Sequence, residues 1–496
     1  MHLDEAGRRR YLGFALVLGA VLTAYAHHHV ARVVDHPSHL VAIDAFAFCW
    51  LAFAAITAHT HVDVRPSAQQ AKLLGGRRVT VVVPLFNEDP KTFRALLDSV
   101  AGQSRLPQRL HVIDNGSTNN DCRLVFDDWA LTRPLDLEVR YDVTGRIGKR
   151  RAQAVAFDAD PDADIFCTMD SDTVLDRNAV REGIAPFARA DITGVAALLL
   201  GLNQRKNMLT RLVDLSFVMS FLNGRASWSR VGSVVVNCGA LSFYRADVIR
   251  KYREAYLTQT VCGRPVVTGD DRMLTGYAVL EGRTVIQERS VGYTLLPENL
   301  SHLTRQRVRW WRSWFWGGGW LIQMCPLTKP AWWLVLWQFA SFVLGTLALP
   351  LLMIRHPAEA GQLAVPFLGF AVLAAYIRTV RYLIVRRPDM TYRQQLLRFA
   401  MAPLSSLVNL YLCTVLQYVG LLTFLKTGWS TRQAVEVSIG AAPDLGTATE
   451  PGADELTTVG ATSIDGPGRR RTGSSPTRRT AGASTTPGGR PPASPG

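Results

Sequence analysis

The strongest chemical signal in the sequence is a pair of carboxylates, Asp170 and Asp172, separated by one serine. The pair follows residues 164–169, an apolar stretch typical of a buried strand. Two carboxylates at a strand end can hold a divalent cation together with a diphosphate, because Mg²⁺ prefers one or two carboxylates plus phosphate oxygens. A D-x-D triplet alone is weak, since surface turns often contain one by chance.

Two further polar clusters follow predicted strands. Asn87 and Glu88 come after the run V-V-V-P-L-F, and a D-N-G-S run beginning at Asp114 follows residues 110–113. Each cluster alone could be an ordinary strand-to-helix turn with a capping Asn or Asp. Three such clusters at the carboxyl edge of one sheet, however, are expected where a ligand crevice lies.

Charged residues later in the chain could complete this site. Lys149 lies in a basic turn that could simply be solvated, but beside a diphosphate it would supply positive charge. Asp270 and Asp271 form a second acidic pair in the run G-D-D-R. One of these carboxylates could hold a metal while the other acts as general base.

An arginine- and tryptophan-rich segment, residues 303–320, supplies the last candidates. Within it Gln306, Arg309 and Trp310 stand at helical spacing. Arg offers a planar fork for phosphate and Trp a flat face for a sugar ring. A helix on a membrane surface with snorkelling arginines would have the same composition, and the two interpretations are compatible.

The elements that must position these residues alternate between strands and helices. Residues 79–84 form a continuous β-branched run, typical of a strand buried on both faces of a parallel sheet. Residues 91–100 are predicted as a helix and residues 110–113 as a second strand. The pattern predicts a nucleotide-binding α/β domain over residues 62–330.

Long apolar runs flank this domain and predict membrane helices. At the N-terminus, residues 11–26 could be a signal peptide, but a second run at 40–58 favours a transmembrane hairpin over residues 1–61. Three arginines before the first run place the N-terminus in the cytoplasm. The predicted C-terminal membrane region, residues 331–435, contains apolar runs at 331–354, 363–385 and 399–425.

Other segments have their own signatures. Residues 209–222, which are apolar on one side and carry Arg211 and Asp214, are too short to span and are expected in the membrane interface. Pro403, followed by two serines, predicts a bent last segment and a cytoplasmic C-terminus. Residues 436–496, rich in Gly, Pro, Ser and Thr, are predicted to be a disordered tail.

The composition agrees with a membrane protein that has a soluble middle. Of 496 residues, 48% are hydrophobic and 19% charged, whereas soluble proteins average about 25% charged residues. The net charge of +15 would also suit nucleic acid, but the arginines cluster beside apolar runs, so no nucleic-acid partner is expected. A transporter that only binds nucleotide is disfavoured, because the predicted spans hold few ionisable residues.

The ordered motifs resemble those of the processive inverting glycosyltransferases, which include the hyaluronan, chitin and cellulose synthases. The resemblance covers residues 10–435 and rests on D-N-G-S, D-S-D, C-G-A-L-S-F-Y-R (238–245), G-D-D-R-M-L-T and Q-R-V-R-W. Hyaluronan synthases are most similar, because of the G-D-D-R run and of G-W-S-T-R at 428–432. Ser430 stands where those enzymes usually have glycine, and residues 310–314 are unusually rich in Trp.

The resemblance implies a GT-A-like nucleotide-sugar-binding α/β domain inserted between transmembrane helices, with amphipathic interface helices. It implies that Asp271 is the catalytic base and that Asp172 coordinates Mg²⁺ or Mn²⁺. The residues assigned to nucleotide-sugar binding are Asn87, Glu88, Asp114, Lys149, Asp170, Arg309, Trp429 and Arg432. Those assigned to acceptor binding are Gln306, Trp310, Asp270 and Arg272.

The implied activity is polymerisation of UDP-sugars by a multi-pass enzyme of the plasma membrane whose catalytic domain is cytoplasmic. Its partners would be UDP-N-acetylglucosamine, UDP-glucuronate for a hyaluronan-like product, the growing polysaccharide and the lipid bilayer, across which it would export the chain. A chitin-like product and non-processive transfer to a lipid carrier remain alternatives.

Overall fold

The computed structural model describes residues 5–32, 49, 52–355, 357, 360–385, 387 and 389–427. The predicted tail and the G-W-S-T-R motif, with Trp429 and Arg432, lie outside the described residues. Most of the predicted second membrane run, 40–58, also lies outside them, although residues 52–59 are helical.

The centre of the fold is a mixed eight-stranded sheet. Its strands are β1 (Val79–Leu85), β2 (Arg109–Asp114), β3 (Glu138–Val143), β4 (Ile165–Met169), β5 (Val174–Leu175), β6 (Ile192–Gly201), β7 (Leu241–Arg245) and β10 (Arg283–Thr294). They lie in the order β3-β2-β1-β4-β7-β6-β10-β5. A separate hairpin pairs β8 (Thr260–Val261) with β9 (Arg264–Pro265).

The predicted parallel sheet is confirmed around β1, which pairs in parallel with β2 and β4. The prediction did not include β7, which lies antiparallel between β4 and β6. Strand direction is set by tertiary connections, and hydrophobic periodicity carries no information about it. The parallel half brings the carboxyl ends of β1, β2 and β4 to one edge.

Helices cover both faces of the sheet. Those of the central domain are α2 (Ala68–Gly75), α3 (Pro90–Ala101), α4 (Asp121–Thr132), α5 (Lys149–Ala159), α6 (Ala179–Ile184), α7 (Met208–Met219), α8 (Ala226–Arg230), α9 (Ala246–Lys251), α10 (Arg253–Thr258), α11 (Asp270–Glu281) and α12 (Leu300–Met324). A π-helical turn, Ser220–Arg225, joins α7 to α8, and a 3₁₀ turn, Ala185–Ala188, follows α6. Local capping starts several helices: Asp89 accepts a hydrogen bond from the Thr92 backbone at the start of α3.

The core is divided by the sheet into two layers. Val81 and Val83 of β1 pack with Leu97 of α3 on one face. Val82 faces the opposite way and packs in the layer that contains Met273 of α11 and Phe157 of α5. This alternation is the period of two expected for a strand covered on both faces. It places α3 on one face of the sheet, and α5 and α11 on the other.

Further helices precede and follow the central domain. They are α1 (Glu5–Val30), α13 (Pro330–Arg355), α14 (Ala360–Thr379), α15 (Tyr392–Ala400), α16 (Ala402–Val408) and α17 (Thr414–Leu422), with a 3₁₀ turn at Val380–Leu383 and a π-helical turn at Asn409–Cys413. Within the described residues, one helical segment, Tyr11–His29, is long and apolar enough to cross a membrane, and Pro330–Leu344 is a shorter apolar helix. The predicted break near Pro403 is confirmed, because α15 ends at Ala400 and α16 begins two residues later.

Candidate active site

A cavity of about 1240 Å³ opens at the carboxyl edge of the sheet. Its walls come from the ends of β1 and β4, the N-termini of α5 and α11, and one side of α12. Nine of the predicted site residues line it, although they come from distant parts of the chain: Lys149, Asp170, Asp172, Asp270, Asp271, Arg272, Gln306, Arg309 and Trp310.

Three other predicted residues lie next to this cavity and support its wall. The Glu88 carboxylate, only 1% exposed, accepts a hydrogen bond of 2.6 Å from the Ser171 hydroxyl, between the two aspartates of D-S-D. Asn87 Oδ1 accepts a 2.8 Å hydrogen bond from the Thr118 backbone N–H. Asp114 accepts hydrogen bonds from a backbone N–H and from the Tyr141 hydroxyl, at 2.8 and 3.0 Å. Their contact with a nucleotide sugar stays a prediction.

The D-N-G-S run holds the loop before α5 against the sheet edge. Asn115 Oδ1 accepts hydrogen bonds from the backbone N–H groups of Ile147 and Gly148, at 2.9 and 3.0 Å. Gly116 has φ +82°, and a Cβ there would lie 2.9 Å from the Arg146 backbone nitrogen. The asparagine and glycine of this run therefore fix the loop from which Lys149 begins α5.

Lys149 joins the two acidic motifs. Its ammonium lies 2.7 Å from Asp170 Oδ1 and 2.8 Å from Asp270 Oδ2. Burial alone lowers the pKa of Lys149, but the two carboxylates outweigh burial and raise that pKa well above its ordinary value. Lys149 therefore stays charged and locks the D-S-D loop to the start of α11.

The adjacent carboxylates of α11 have opposite pKa shifts. Burial raises the pKa of Asp271, and the negative charge of Asp270 raises it further. Burial also acts to raise the pKa of Asp270, but Lys149 more than offsets it and the net pKa is lowered. Paired carboxylates whose environments separate their pKa values are a recurring basis for acid and base roles. Because Asp270 is ion-paired with Lys149, the electrostatics of the pair favour Asp271 as the proton acceptor, and this role stays a prediction.

Glycines allow α11 and α12 to approach closely. Gly269 has φ +68°, and a Cβ on it would lie 2.8 Å from the Trp316 ring. A Cβ on Gly276 would lie 2.7 Å from the Trp320 ring, and one on Gly317 would lie 2.4 Å from Arg272 Cδ. We call these three glycines the glycine seam. It brings the start of α11, which carries Asp271, against α12.

Trp310 is half-buried and has aromatic support that its sequence motif did not predict. Its ring lies 6.3 Å from that of Phe217 on α7, with an interplanar angle of 22°. The Arg307 guanidinium lies 4.8 Å from the Trp310 ring centre. Phe217 has no polar signature in the sequence, so only tertiary structure reveals that it positions this indole.

The D-S-D carboxylates are the candidates for binding a divalent cation. Asp172 lines the cavity, and its Oδ1 lies 3.4 Å from the Thr294 hydroxyl. Within the described residues, no group of three or more His, Cys, Asp or Glu side chains could form a complete metal cage. A cation at Asp172, with Asp170 beside it, would take further ligands from diphosphate oxygens, the ligand set that Mg²⁺ favours, and this coordination stays a prediction.

Residues of the C-terminal helices also line the cavity. They include Ala371 and Ala375 of α14, Ser405 and Ser406 of α16, and the apolar Leu407 and Leu410. Arg225, at the end of the π-helical turn, also lines it and was not among the predicted residues. Its sequence signal, an N-G-R run after an apolar helix, is too common to single it out.

Comparison with known proteins shows extensive similarity. The family described as "Glycosyltransferase like family 2" matches residues 77–313. The hyaluronan synthase of Streptococcus pyogenes is 31% identical over 367 residues, which are 73% of this chain and 84% of that protein. An N-acetylglucosaminyltransferase of Azorhizobium caulinodans is 29% identical over 364 residues, which are 72% of this chain and 88% of that protein. A solved mannosyltransferase of Pyrobaculum calidifontis is 20% identical, with a TM-score of 0.45 and coverage of 78% of this chain and 98% of that chain.

Proposed function

We propose that this chain, which belongs to the hyaluronan and chitin synthase-like glycosyltransferases, polymerises UDP-sugars into a hyaluronan-like polysaccharide. The chain is a UDP-sugar glycosyltransferase with a GT-A-like fold. One observation supports polymerisation over transfer of a single sugar. The cavity that contains the Lys149 ion pairs, Asp271 and the Q-R-V-R-W segment is also lined by α14 and α16. The names of the two relatives favour UDP-N-acetylglucosamine as one substrate and UDP-glucuronate as the other.

The proposed reaction is a single displacement at the anomeric carbon of the UDP-sugar. Asp271 accepts the proton of the acceptor hydroxyl, and the hydroxyl oxygen bonds to the anomeric carbon. The bond from that carbon to the diphosphate oxygen breaks, and UDP leaves with the electron pair. Attack from the face opposite UDP inverts an α-linked donor into a β-linked product.

The other cavity residues bind and orient. Lys149 keeps the D-S-D loop and the N-terminus of α11 in register, so that Asp271 faces the bound sugar. Gln306, Arg309 and Trp310 are assigned to the diphosphate and the acceptor sugar. A divalent cation held at Asp172 would supply positive charge against the charge that develops on the leaving diphosphate.

The membrane arrangement is part of the same proposal. A polysaccharide made in the cytoplasm cannot cross a bilayer unaided, because its hydroxyl groups would lose their hydrogen bonds to water. The cavity extends to small and polar side chains of α14 and α16, which could pass a sugar chain. We therefore propose a multi-pass protein of the plasma membrane, with residues 1–61 and 331–435 as its membrane regions.

The activity is tested with the purified full-length protein in liposomes. UDP-N-acetylglucosamine and UDP-glucuronate are supplied singly and together, and both UDP release and polymer are measured. A polymer that requires both sugars supports a hyaluronan-like product. A polymer from UDP-N-acetylglucosamine alone indicates a chitin-like product, and one sugar on an extracted lipid indicates a lipid-carrier transferase. No UDP release with either sugar would overturn the function.

The topology is tested by cysteine labelling in intact cells, with the unmodified chain as background. Ser474→Cys, in the tail, should react with a membrane-impermeant reagent only after permeabilisation. His356→Cys, between the predicted spans, is the matched control and should react in intact cells. Labelling of Ser474→Cys from outside would place the tail, Trp429 and Arg432 away from the nucleotide.

A further inference from the structure

The first turn of α11 carries Asp271 and begins without a side-chain cap. The residue before the helix is Gly269, which has no side chain that could accept a hydrogen bond from the free N–H groups of that turn. Lys149 ties the side chain of the neighbouring Asp270, and a separate set of contacts holds the main chain of Asp271. These contacts therefore decide where the Asp271 carboxylate lies in the cavity.

The Thr275 hydroxyl is the group that holds the Asp271 main chain. Its Oγ1 donates a hydrogen bond of 2.7 Å to the Asp271 carbonyl oxygen, one turn earlier in α11. A threonine bond to the carbonyl four residues earlier is common in helices and by itself indicates no function. Thr275 differs because its side chain is fully buried and two donors from other elements converge on the same oxygen.

The two donors to Thr275 are the Asn237 backbone N–H, at 3.0 Å, and the Tyr244 hydroxyl, at 3.1 Å. A threonine hydroxyl has one proton and two acceptor lone pairs, and its proton lies in the shorter bond to Asp271. The Tyr244 O–H is therefore the donor to Thr275, and burial keeps it protonated by raising the pKa of Tyr244. The Thr275 oxygen is fully bonded, because it donates one hydrogen bond and accepts two.

The two donors belong to the sheet and to the cavity wall. Tyr244 lies fully buried on β7, which pairs with β4 on one side and β6 on the other, and its hydroxyl also lies 3.4 Å from the Asp271 carbonyl oxygen. Asn237 lies in the segment 236–240, which contributes four residues to the cavity lining. Through Thr275, a strand of the sheet and the cavity wall are both attached to the main chain of Asp271.

A second buried threonine attaches the same helix at its other end. Thr193 of β6 donates a hydrogen bond of 2.7 Å from Oγ1 to the Ala278 carbonyl oxygen, near the end of α11. Both threonines therefore fix α11 through a buried hydroxyl, but at different distances from Asp271. Comparison of the two separates the position of Asp271 from the general stability of the helix.

We propose that Thr275 is a positioning residue for sugar transfer, whose hydroxyl, supported by Tyr244, holds Asp271 where it can accept the proton of the acceptor hydroxyl. The inference rests on the proposed function, because Asp271 is the base in that reaction. A base must lie within hydrogen-bond distance of the proton that it accepts. Since misplacement of about 1 Å can lower a rate about 100-fold, loss of the Thr275 hydroxyl should lower kcat. Binding of the UDP-sugar is assigned to other residues and should remain.

The test measures kcat and KM for UDP release from UDP-N-acetylglucosamine, with full-length protein in liposomes and saturating UDP-glucuronate. The number of active sites is counted by calorimetric UDP binding, so that unfolded protein does not lower kcat. Thr275→Val keeps the shape of the side chain without the hydroxyl, and should lower kcat about tenfold or more while KM changes by less than about twofold. Thr275→Ser restores the hydroxyl and should recover most of kcat.

Two further variants complete the test. Tyr244→Phe should lower kcat less than Thr275→Val does, because the hydrogen bond from Thr275 to Asp271 remains. Thr193→Val is the matched control, and should keep the wild-type kcat even where it lowers the melting temperature. If Thr275→Val protein binds no UDP, Tyr244→Phe decides: a reduced kcat with unchanged KM supports the inference, and an unchanged kcat overturns it.

The outcomes separate this inference from the proposed function. Thr275→Val protein with the wild-type kcat overturns the positioning role and leaves the glycosyltransferase intact. Equal losses of kcat in Thr193→Val and Thr275→Val, or no recovery in Thr275→Ser, would show a general effect on α11 and also overturn it. Wild-type protein that releases no UDP from any donor overturns the proposed function itself.

Discussion

Arg387 Nη1 lies 2.5 Å from Asp214 Oδ2, and the two side chains are 1% and 0% exposed. Asp214 lies on α7 and also accepts a 2.9 Å hydrogen bond from the Gly201 backbone N–H at the end of β6. Arg387 follows α14 and makes a second ion pair with Asp389 at 2.6 Å. A buried, fully bonded ion pair therefore attaches the segment between the C-terminal helices to the catalytic domain.

Removing one member of this pair should destabilise the protein strongly. Arg387→Met leaves Asp214 buried and unpaired, which costs about 3–5 kcal/mol in comparable sites. Thermal unfolding in detergent should show a large loss for Arg387→Met and recovery in the double variant Asp214→Asn/Arg387→Met. Arg393→Met, on an exposed position of α15, serves as control. Equal melting temperatures for Arg387→Met and Arg393→Met would contradict the stabilising role of the Arg387–Asp214 ion pair.

Asp271→Asn should remove the proton acceptor while keeping the shape of the cavity. Loss of a general base typically lowers the rate about 10²–10⁴-fold. UDP-sugar binding should remain, because the asparagine can still accept the hydrogen bond that the Arg272 backbone N–H donates to Asp271 Oδ1. UDP release and calorimetric UDP binding are measured together, with the exposed Asp127→Asn as control. Near-normal turnover would eliminate Asp271 as the base.

Asp270→Asn should shift the acid limb of the pH profile of kcat/KM to lower pH. Asp271 accepts a proton only when ionised, so kcat/KM falls as pH falls through its pKa. The negative charge of Asp270 raises that pKa, Lys149 and Arg272 lower it, and removal of the Asp270 charge lowers it. The acid limb of kcat/KM should therefore shift to lower pH, whereas the exposed Asp247→Asn should leave it in place. A shift to higher pH would rule out this electrostatic coupling.

Asp172→Asn should weaken the binding of the divalent cation. The asparagine oxygen can still accept the weak hydrogen bond from Thr294, so the loop keeps its shape. One anionic ligand of a hard cation is lost, and a higher Mn²⁺ or Mg²⁺ concentration should be needed for half-maximal UDP release. A metal requirement identical to that of wild type would show that the cation is held elsewhere.

The sequence was informative where the signal is local. The strands that lead to Asp114 and Asp170 and the break near Pro403 were predicted from buried runs and turn residues. The sequence did not predict contacts between segments that are far apart in the chain. Asp214 was predicted to lie in an amphipathic interface helix, but in the structure it is buried against Arg387, 173 residues later in the chain. Arg225 was missed for the same reason, because its place in the cavity wall is a property of the folded chain.

The glycine seam has a consequence for attempts to redesign the product. At Gly269, Gly276 and Gly317 there is no free volume that a methyl group could fill. A larger side chain at any of these positions would therefore push α11 and α12 apart. Such a displacement moves Asp271 relative to the acceptor, and even small misplacement of a reacting group reduces rates steeply. Libraries that seek new sugar specificity should therefore vary other positions of the cavity wall and keep these three positions as glycine.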